Sequence, residues 1–407
     1  MKMGPSVYRT FCLLLAFELV SSYSFGAVSA RRHRRRVSAS AHRRTSAVKP
    51  AVRTAAVRAR IQAASLVTHP PVIVQRPAAE PVIAGGPWTQ PTFADSTLGD
   101  NVDGEDLTIR RVAVDALGIF NGSVVVVDPA TGRVLSMVNQ KLALGAGFQP
   151  CSTVKVSVAL AALSEKVVAP DAKLRLAGMR MDLTYALAHS NNYFFATLGQ
   201  KLGYEKFSHY ARQFGYGEKA GLDIPGEQPG RFPDAPPKNG GVGMLTSFGE
   251  GISQTPLQLA ALMSAVANGG TLYYLQYPRS QTDVRAFVPR VRRRLQIESF
   301  LPLIKPGLRG AVEFGTARRA SEDGPIAGKT GTCSENHTHL GWFGSFNDIG
   351  PRKLVVVVLL TGGRPTSGPL AAGIAGDVYR RLSEQKYFAS ASVAPADLVS
   401  TQICCTR

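Results

Sequence analysis

The pattern of apolar and polar positions predicts that ordered structure begins near Gly104. Apolar residues recur at helical spacing across 107–117, which predicts an amphipathic helix. Two runs rich in β-branched residues follow at 122–127 and 133–138, with the turn sequence Asp128-Pro-Ala-Thr-Gly132 between them. Because that turn separates two strand-like runs, the segment predicts a β-hairpin.

The rest of the chain is helical in the middle and strand-like towards its end. From 152 to about 270 the pattern is mostly helical, and Thr255 and Pro256 provide a start signal for one helix. Strand patterns then lie at 326–332, 340–346 and 354–361, and a helix pattern lies at 370–386. We therefore expect an α/β (α+β) fold, with a five-stranded antiparallel sheet flanked by helices and an inserted all-helical lobe.

Composition divides the chain of 407 residues into four segments. Residues 1–30 read as a signal peptide or a membrane anchor, because basic residues precede an apolar stretch and small residues end at Ala30. Residues 31–103 are basic and then proline-rich, which is typical of a disordered linker. Residues 104–390 form the predicted folded domain, and 391–407 form a tail. We expect export to the periplasm or to the outer face of the cytoplasmic membrane.

Positive charge is concentrated before the predicted domain. Residues 1–79 hold 14 Lys or Arg against one acid, which is most of the net charge of +19. Such a segment is either a solvated linker or a contact with anionic lipid headgroups or wall polymers. Residues 31–79, which follow the leader, have no aromatic residues interleaved with these charges, so we expect no nucleic-acid partner.

Three short motifs occur in one order along the predicted domain: Ser152-Thr-Val-Lys155, Ser190-Asn-Asn192 and Lys329-Thr-Gly-Thr332. Each motif is weak alone, since the spacing SxxK occurs three times in the chain and SxN also occurs three times. The other SxxK matches, which start at Ser46 and Ser383, lie in the basic segment and after the third motif. Only one choice among these matches gives the order SxxK, SxN and KTG with enough chain between the motifs for a folded domain.

The first motif can supply a nucleophile and its base. At the start of a helix, Ser152 gains from the positive end of the helix dipole, and Lys155 projects from the same face one turn later. Burial and the second cation Lys329 would lower the pKa of Lys155 and let it accept a proton. For this motif in isolation, an N-capping serine followed by a surface lysine is the better explanation.

The second and third motifs can complete a site for acyl transfer through a serine ester. Ser190 would relay protons to a leaving nitrogen, and Asn192 would hold a substrate amide. The third motif lies on a predicted edge strand, from which Lys329 and the hydroxyls of Thr330 and Thr332 would bind a carboxylate.

Within the third motif, Gly331 would leave room for a substrate backbone. The backbone N–H groups of Ser152 and Thr332 would form an oxyanion hole. Polar loop residues, a helix cap and a solvated lysine are the ordinary explanations of these two motifs, and His189 receives no role. We expect no metal and no cofactor.

With these motifs in this order, residues 105–390 resemble the transpeptidase domain of penicillin-binding proteins, in the penicillin-recognising serine enzyme superfamily. Further strings similar to class B members of that family support the resemblance: Gly122-Ser-Val-Val-Val-Val-Asp-Pro-Ala-Thr-Gly132, Phe148-Gln-Pro-Cys-Ser152, Phe214-Gly-Tyr-Gly217, Leu222-Asp-Ile-Pro-Gly-Glu227, Thr255-Pro-Leu-Gln-Leu-Ala260 and Gly341-Trp-Phe343. One departure is Glu250, which stands where a glutamine is common in the family.

The resemblance implies a peptidoglycan DD-transpeptidase. Ser152 would be acylated by a stem peptide that ends in D-Ala-D-Ala, and the acyl group would pass to an amine of a neighbouring stem. β-Lactams would acylate the same serine as covalent inhibitors. Carbapenem-hydrolysing class A β-lactamases carry a disulfide at two corresponding motif positions, which implies a bridge between Cys151 and Cys333. The roles of Cys404 and Cys405 stay open.

Several functions other than transpeptidation remain open on the sequence. A DD-carboxypeptidase differs only in using water as the acyl acceptor. A serine β-lactamase needs a group that activates a deacylating water, and no glutamate is obviously placed for this. A β-lactam sensor or a non-catalytic wall-binding protein is an alternative of another class, and a sensor should have further transmembrane segments and a cytoplasmic effector, which the sequence does not show.

Overall fold

The structure is a computed structural model that describes residues 88–389, apart from 170, 177, 322–323 and 350–351. The predicted leader, residues 31–87 of the predicted linker, and the predicted tail lie outside the described residues. No helix within the described part of the chain is both long enough and apolar enough to cross a membrane.

The described residues follow the predicted sequence of an early hairpin, a mostly helical middle and three late strands. The strands are β1 (Gly122–Asp128), β2 (Arg133–Val138), β3 (Leu174–Leu176), β4 (Met179–Met181), β5 (Thr271–Tyr273), β6 (Val291–Arg294), β7 (Ile326–Glu335), β8 (Thr338–Asn347) and β9 (Val355–Gly362). The α-helices are α1 (Leu107–Leu117), α2 (Gln140–Ala143), α3 (Lys155–Ser164), α4 (Leu183–Ala188), α5 (Asn192–Leu202), α6 (Tyr204–Gln213), α7 (Gly241–Phe248), α8 (Pro256–Ala267), α9 (Gln281–Arg285), α10 (Leu301–Glu313) and α11 (Gly368–Glu384). Single 3₁₀ turns span Cys151–Val154, Glu298–Phe300 and Arg318–Ala320.

Five strands form one antiparallel sheet in the order β2-β1-β9-β8-β7. The first hairpin therefore pairs with the last strand, as predicted from the two early and three late strand patterns. β7 lies at one edge of this sheet, so the third motif is on an edge strand as expected.

Both faces of the sheet are covered, which explains the unbroken valine run in β1. Val125 and Val127 pack into one apolar cluster, and Val124 and Val126 pack into a second cluster on the opposite face. All four side chains have no exposed surface. Because successive strand residues point to opposite faces, a strand in a middle layer must be apolar at every position.

Helices supply the two covering layers. α8 packs against β1, β8 and β9, and it begins with a capping box in which Thr255 and Gln258 bond each other's backbone N–H. α1 and α11 cover the other face. The sequence pattern thus predicts each of these helices. Each predicted start or end lies within two residues of the observed one.

A lobe is inserted between β2 and β7, as predicted, but it is not entirely helical. It contains two small antiparallel pairs, β3 with β4 and β5 with β6. These strands have three or four residues each, which is too short for a period of two to be recognised in the sequence.

Residues 88–103, which composition assigned to the linker, pack against the domain. Asp100 accepts hydrogen bonds from Arg110 Nη2 at 2.7 Å and from the backbone N–H of Gln140 at 2.8 Å. The Trp88 ring contacts the ring of His339 in a tilted arrangement, with centroids 4.2 Å apart. The packed structure therefore begins earlier in the chain than the apolar pattern indicates.

Candidate active site

Ser152 lies in a 3₁₀ turn, and α3 begins only at Lys155. The sequence predicted an α-helix from Ser152, so the element is tighter than expected over its first turn. The turn still places residues three positions apart on one side. As a result, Lys155 Nζ lies 3.0 Å from Ser152 Oγ.

Lys155 is fully buried and is surrounded by oxygen atoms. Its Nζ donates to the backbone carbonyl of Ser190 at 2.7 Å and lies 3.1 Å from Ser190 Oγ. It also donates to Asn192 Oδ1 at 2.5 Å. Burial, and to a lesser degree the charge of Lys329, holds the pKa of Lys155 well below its usual value. Both effects favour the neutral amine, which is the form that can accept a proton from Ser152.

Ser190 and Asn192 lie at the junction of α4 and α5, so one bend in the chain presents both to Lys155. Ser190 adopts a left-handed backbone conformation, with φ of 55°. The capping function that the sequence left open belongs to the residue between them, since Asn191 Oδ1 accepts from the backbone N–H of Phe194 at 2.9 Å. Ser190 and Asn192 are therefore free to point towards the buried amine.

Lys329 is the second buried cation, with 1% of its surface exposed. Its Nζ donates to the backbone carbonyl of Thr330 at 3.1 Å. Burial lowers the pKa of Lys329 to about 7. Since an ammonium group can donate three hydrogen bonds, this side chain has capacity to bind an anion.

Gly331 leaves room for another segment of the chain, the turn that carries Ser152. A Cβ atom at this position would lie 2.8 Å from the backbone oxygen of Pro150 and 3.2 Å from Thr153 Cγ2. We expected a substrate backbone to require this glycine, whereas in the structure the turn that carries Ser152 packs against it. The glycine thus allows the nucleophile to sit close to the edge strand.

The two threonine hydroxyls of the third motif each have a protein partner. Thr330 Oγ1 lies 2.6 Å from Thr316 Oγ1, and Thr332 Oγ1 accepts from the backbone N–H of Gly368 at 2.8 Å. These contacts fix the orientation of the two hydroxyls. Thr316 lies 13 residues before Lys329, the first residue of the motif. No local signal in the sequence identified it.

Cys151 and Cys333 lie as a pair in the structure, with their Cα atoms 5.7 Å apart. One cysteine precedes Ser152 and the other follows Thr332, so a bond between them would connect the nucleophile turn to the edge strand. The pairing is the one that the family resemblance implies. Cys12, Cys404 and Cys405 lie outside the described residues.

Gln149 also ties the nucleophile turn to its surroundings, and sequence reasoning missed this role. Its backbone N–H donates to Glu335 Oε2 at 2.9 Å, and its carbonyl accepts from Trp342 Nε1 at 2.9 Å. Its side-chain amide donates to the carbonyl of Phe248 at 3.0 Å and to Glu250 Oε2 at 3.3 Å. Residues of β7, β8 and α7 therefore fix the position of the chain segment that leads into the turn of Ser152.

The structure brings all three motifs together at one cleft between the sheet edge and the inserted lobe. A hydroxyl, a buried amine, a second hydroxyl, an amide and a second buried cation converge, which suits nucleophilic acyl transfer. In the part of the chain that the structure describes, no group of three or more His, Cys, Asp or Glu residues could hold a metal ion.

Comparison of the sequence with known proteins identifies relatives of one kind. A family model described as the penicillin binding protein transpeptidase domain matches residues 122–380. Stage V sporulation protein D of Bacillus subtilis is 32% identical over 292 residues, which is 62% of this chain and 45% of that protein. Penicillin-binding protein PbpB of Mycolicibacterium smegmatis is 26% identical over 302 residues, which is 62% of this chain and 46% of that protein. The chain therefore spans less than half the length of these relatives.

Solved structures show the same fold. Pseudomonas aeruginosa PBP2 in complex with WCK 5153 superimposes with a TM-score of 0.58 at 24% identity, over 70% of this chain and 77% of that one. Because the family model covers more than half of the residues and includes all three motifs, the chain belongs to the penicillin-binding protein transpeptidase domain family.

Proposed function

We propose that this protein is a peptidoglycan DD-transpeptidase that acts through an acyl-enzyme on Ser152. Family membership supports the class of reaction, and one observation carries the assignment to these residues. The buried amine of Lys155 lies 3.0 Å from Ser152 Oγ and 3.1 Å from Ser190 Oγ. A neutral amine in that position links the nucleophile to a second hydroxyl that can pass on the proton.

Acylation follows from this arrangement. Neutral Lys155 takes the proton of Ser152, and Oγ attacks the carbonyl carbon of the penultimate D-alanine. A tetrahedral intermediate forms, and the backbone N–H groups of Ser152 and Thr332 are the proposed donors to its oxygen. As the C–N bond breaks, Ser190 passes a proton from Lys155 to the leaving nitrogen, and D-alanine departs.

The remaining residues of the motifs bind the stem peptide. Lys329, Thr330 and Thr332 are the proposed ligands of its terminal carboxylate, since Lys329 is a buried cation and protein contacts orient the two hydroxyls of the same edge strand. Asn192, which also contacts Lys155, is the proposed ligand of a substrate amide. A β-lactam presents the same carbonyl and carboxylate, so the same residues would bind it and Ser152 would form a lasting ester with it.

The fate of the acyl-enzyme separates the competing enzymes. Transfer to an amine is transpeptidation, transfer to water is carboxypeptidase activity, and rapid hydrolysis of a β-lactam adduct is β-lactamase activity. The proposed function favours the amine and a slowly hydrolysed β-lactam adduct. Because the substrate lies outside the cytoplasm, the proposal includes export by way of residues 1–30. Contact of the basic segment with anionic lipid or wall polymer is a further part of the proposal.

The disulfide between Cys151 and Cys333 belongs to the same proposal, and export makes its oxidation plausible. It would enclose a loop of 182 residues, for which chain entropy predicts a stabilisation of up to about 5 kcal/mol. Peptide mapping without reduction should recover the two cysteines in one linked peptide pair. Recovery of both as free thiols from the exported protein would contradict the bridge.

The decisive experiment follows the mass of the purified protein during incubation with a labelled penicillin. We expect one lasting adduct, located on Ser152, and none in a Ser152→Ala variant. Ser383, the start of another SxxK sequence, provides a matched control, since Ser383→Ala should keep the adduct. Rapid return to the native mass with hydrolysed drug would indicate a β-lactamase. The absence of any adduct would overturn the proposal.

A further inference from the structure

Three aromatic side chains form a partly exposed group beside the cleft, which we call the aromatic triplet: Tyr185, His189 and Phe314. The ring centroids of Tyr185 and His189 are 4.2 Å apart, and those of His189 and Phe314 are 5.7 Å apart. Tyr185 is 48% exposed and Phe314 is 47% exposed, and His189 is also exposed. Adjacent rings of this size in contact with solvent commonly mark a binding surface.

The aromatic triplet lies on a rigid part of the rim. The ends of α4 and α10 meet closely, because a Cβ atom on Gly315 would lie 2.1 Å from the backbone oxygen of Ala188. The ring of Phe314 folds back over Gly310, where an added Cβ atom would lie 2.6 Å from Cζ of the ring. The rings are therefore positioned by backbone packing and by each other.

The aromatic triplet adjoins two of the catalytic motifs. His189 directly precedes Ser190, whose hydroxyl lies 3.1 Å from Lys155 Nζ. Phe314 is two residues before Thr316, whose hydroxyl lies 2.6 Å from that of Thr330. Ser190 is the proposed proton donor to the leaving nitrogen, and Thr330 is a proposed ligand of the leaving group's carboxylate. The aromatic triplet therefore lies at the leaving-group end of the cleft.

The incoming nucleophile must use this end of the cleft as well. After D-alanine has left, an amine reaches the acyl carbon along the path that the leaving nitrogen vacated, because bond making retraces bond breaking at the same carbonyl. The C–N bond forms, the ester C–O bond to Ser152 breaks, and the proton of the nitrogen returns to Ser152 Oγ through Lys155. An acceptor that follows this path passes beside Ser190 and so beside the aromatic triplet.

We propose that the aromatic triplet is the binding site for the acyl acceptor, an amine-bearing side chain of a second peptide. Exposed ring faces can cover the methylene groups of such a side chain, and they attract its ammonium group before it loses a proton. This inference rests on the proposed transpeptidase function and adds the surface that binds the acceptor, which the motifs leave unidentified.

The test separates the donor step from the acceptor step. The donor is a synthetic stem peptide that ends in D-Ala-D-Ala, and the acceptor is a peptide with one free side-chain amine. The measured quantity is the ratio of cross-linked to hydrolysed product. Tyr185→Ala and Phe314→Ala should each lower this ratio about fivefold, as expected for one lost aromatic contact with a cation. Acylation by a labelled penicillin, measured in parallel, should fall much less than the ratio.

Phe93 provides a matched control. It is another partly exposed ring, 38% accessible, and it pairs with Phe120 at a centroid distance of 5.7 Å. It lies near the start of β1, three strands away from β7 in the sheet order. Phe93→Ala should therefore leave the product ratio unchanged. The conservative variant Tyr185→Phe should keep most of the ratio, because the ring face remains.

The outcomes distinguish the two proposals. An unchanged ratio in the double variant Tyr185→Ala/Phe314→Ala, with acylation intact, would overturn the acceptor site and leave the transpeptidase function standing. If the double variant loses acylation through misfolding, the single variants Tyr185→Leu and Phe314→Leu, which remove a ring face and keep an apolar side chain, decide the question by the same ratio. If the unaltered protein hydrolyses the donor and never cross-links it, the transpeptidase function fails and the acceptor site fails with it.

Discussion

Two buried lysines of the same cleft have different surroundings, and the difference explains how one residue type can serve two purposes. Lys155, on the first turn of α3, contacts oxygens of Ser152, Ser190 and Asn192. Among the described residues, the amine of Lys329, on the edge strand β7, donates a hydrogen bond to the backbone carbonyl of Thr330. The first amine is surrounded by hydroxyls that exchange protons, and the second is left with donors for an anion.

Burial lowers the pKa of both lysines, whereas the charge of the neighbouring lysine lowers the pKa of Lys155 in particular. Removal from water lowers the pKa of each lysine, and for Lys329 it lowers the pKa to about 7. For Lys155 the nearby cation adds to this effect. The pair therefore favours a state in which Lys155 is neutral and Lys329 is charged, which is the state that acylation requires.

The largest expected effect comes from removing the amine of Lys155, the proposed base. Lys155→Met keeps the length of the buried stem, so the packing should survive while the proton acceptor is lost. We expect the rate of acylation by a labelled penicillin to fall by about 10³-fold. Lys386→Met, in another SxxK sequence of the chain, should leave the rate unchanged. A Lys155→Met protein that is acylated at the normal rate would refute the assignment of the base.

Removing the second amine should weaken anion binding and leave the base in place. Lys329→Met should lower the acylation rate for a penicillin by about 10- to 100-fold, as expected for a charge-assisted hydrogen bond. The methyl ester of the same penicillin lacks the anion, so the variant and the unaltered protein should react with it at similar rates. An equal loss with acid and ester would show that Lys329 does not bind the carboxylate.

The dependence of acylation on pH should show both lysines. Each lysine is protonated below its pKa, so the rate should rise with pH as Lys155 becomes neutral and fall above about pH 7 as Lys329 loses its charge. Lys329→Arg keeps the cation at every accessible pH and should move the alkaline limb upwards. The measurement is the second-order rate of acylation between about pH 5 and about pH 9. An alkaline limb that stays in place in Lys329→Arg would assign that limb to another group.

The smallest expected effect concerns a residue that supports the Lys329 side alone. Thr316→Val removes the hydroxyl that lies 2.6 Å from Thr330 Oγ1 and conserves the shape of the side chain. The loss of one hydrogen bond corresponds to about a fivefold lower affinity for the penicillin carboxylate. Thr316→Ser should restore most of it. An equal change with the methyl ester would indicate a general structural defect in place of lost orientation.

Much of the fold could be predicted from local patterns. The hairpin of β1 and β2, the helix that begins after Thr255 and the three late strands follow from residues that are neighbours in the chain. The short pairs β3–β4 and β5–β6 and the packing of residues 88–103 could not be predicted. Their contacts are with distant parts of the chain, and they have too few residues for a recognisable period.

The residues of the candidate site were named from the sequence, but several of the contacts that hold them in place were not. The three motifs named Ser152, Lys155 and Lys329 because their chemistry and order are encoded in the sequence. The roles of Thr316, Gln149 and their partners were missed, because each contact joins segments with no shared motif.

The sequence by itself determined which side chains are available and the order in which strands and helices occur, since both depend on residue type and local spacing. Tertiary structure alone decided that Gly331 makes room for the turn of Ser152, that Asn191 caps α5, and that two lysines 174 positions apart share one cleft. The physical reason is that a close approach, a buried charge and a lowered pKa each depend on atoms from distant segments, and packing brings those atoms together only in the folded chain.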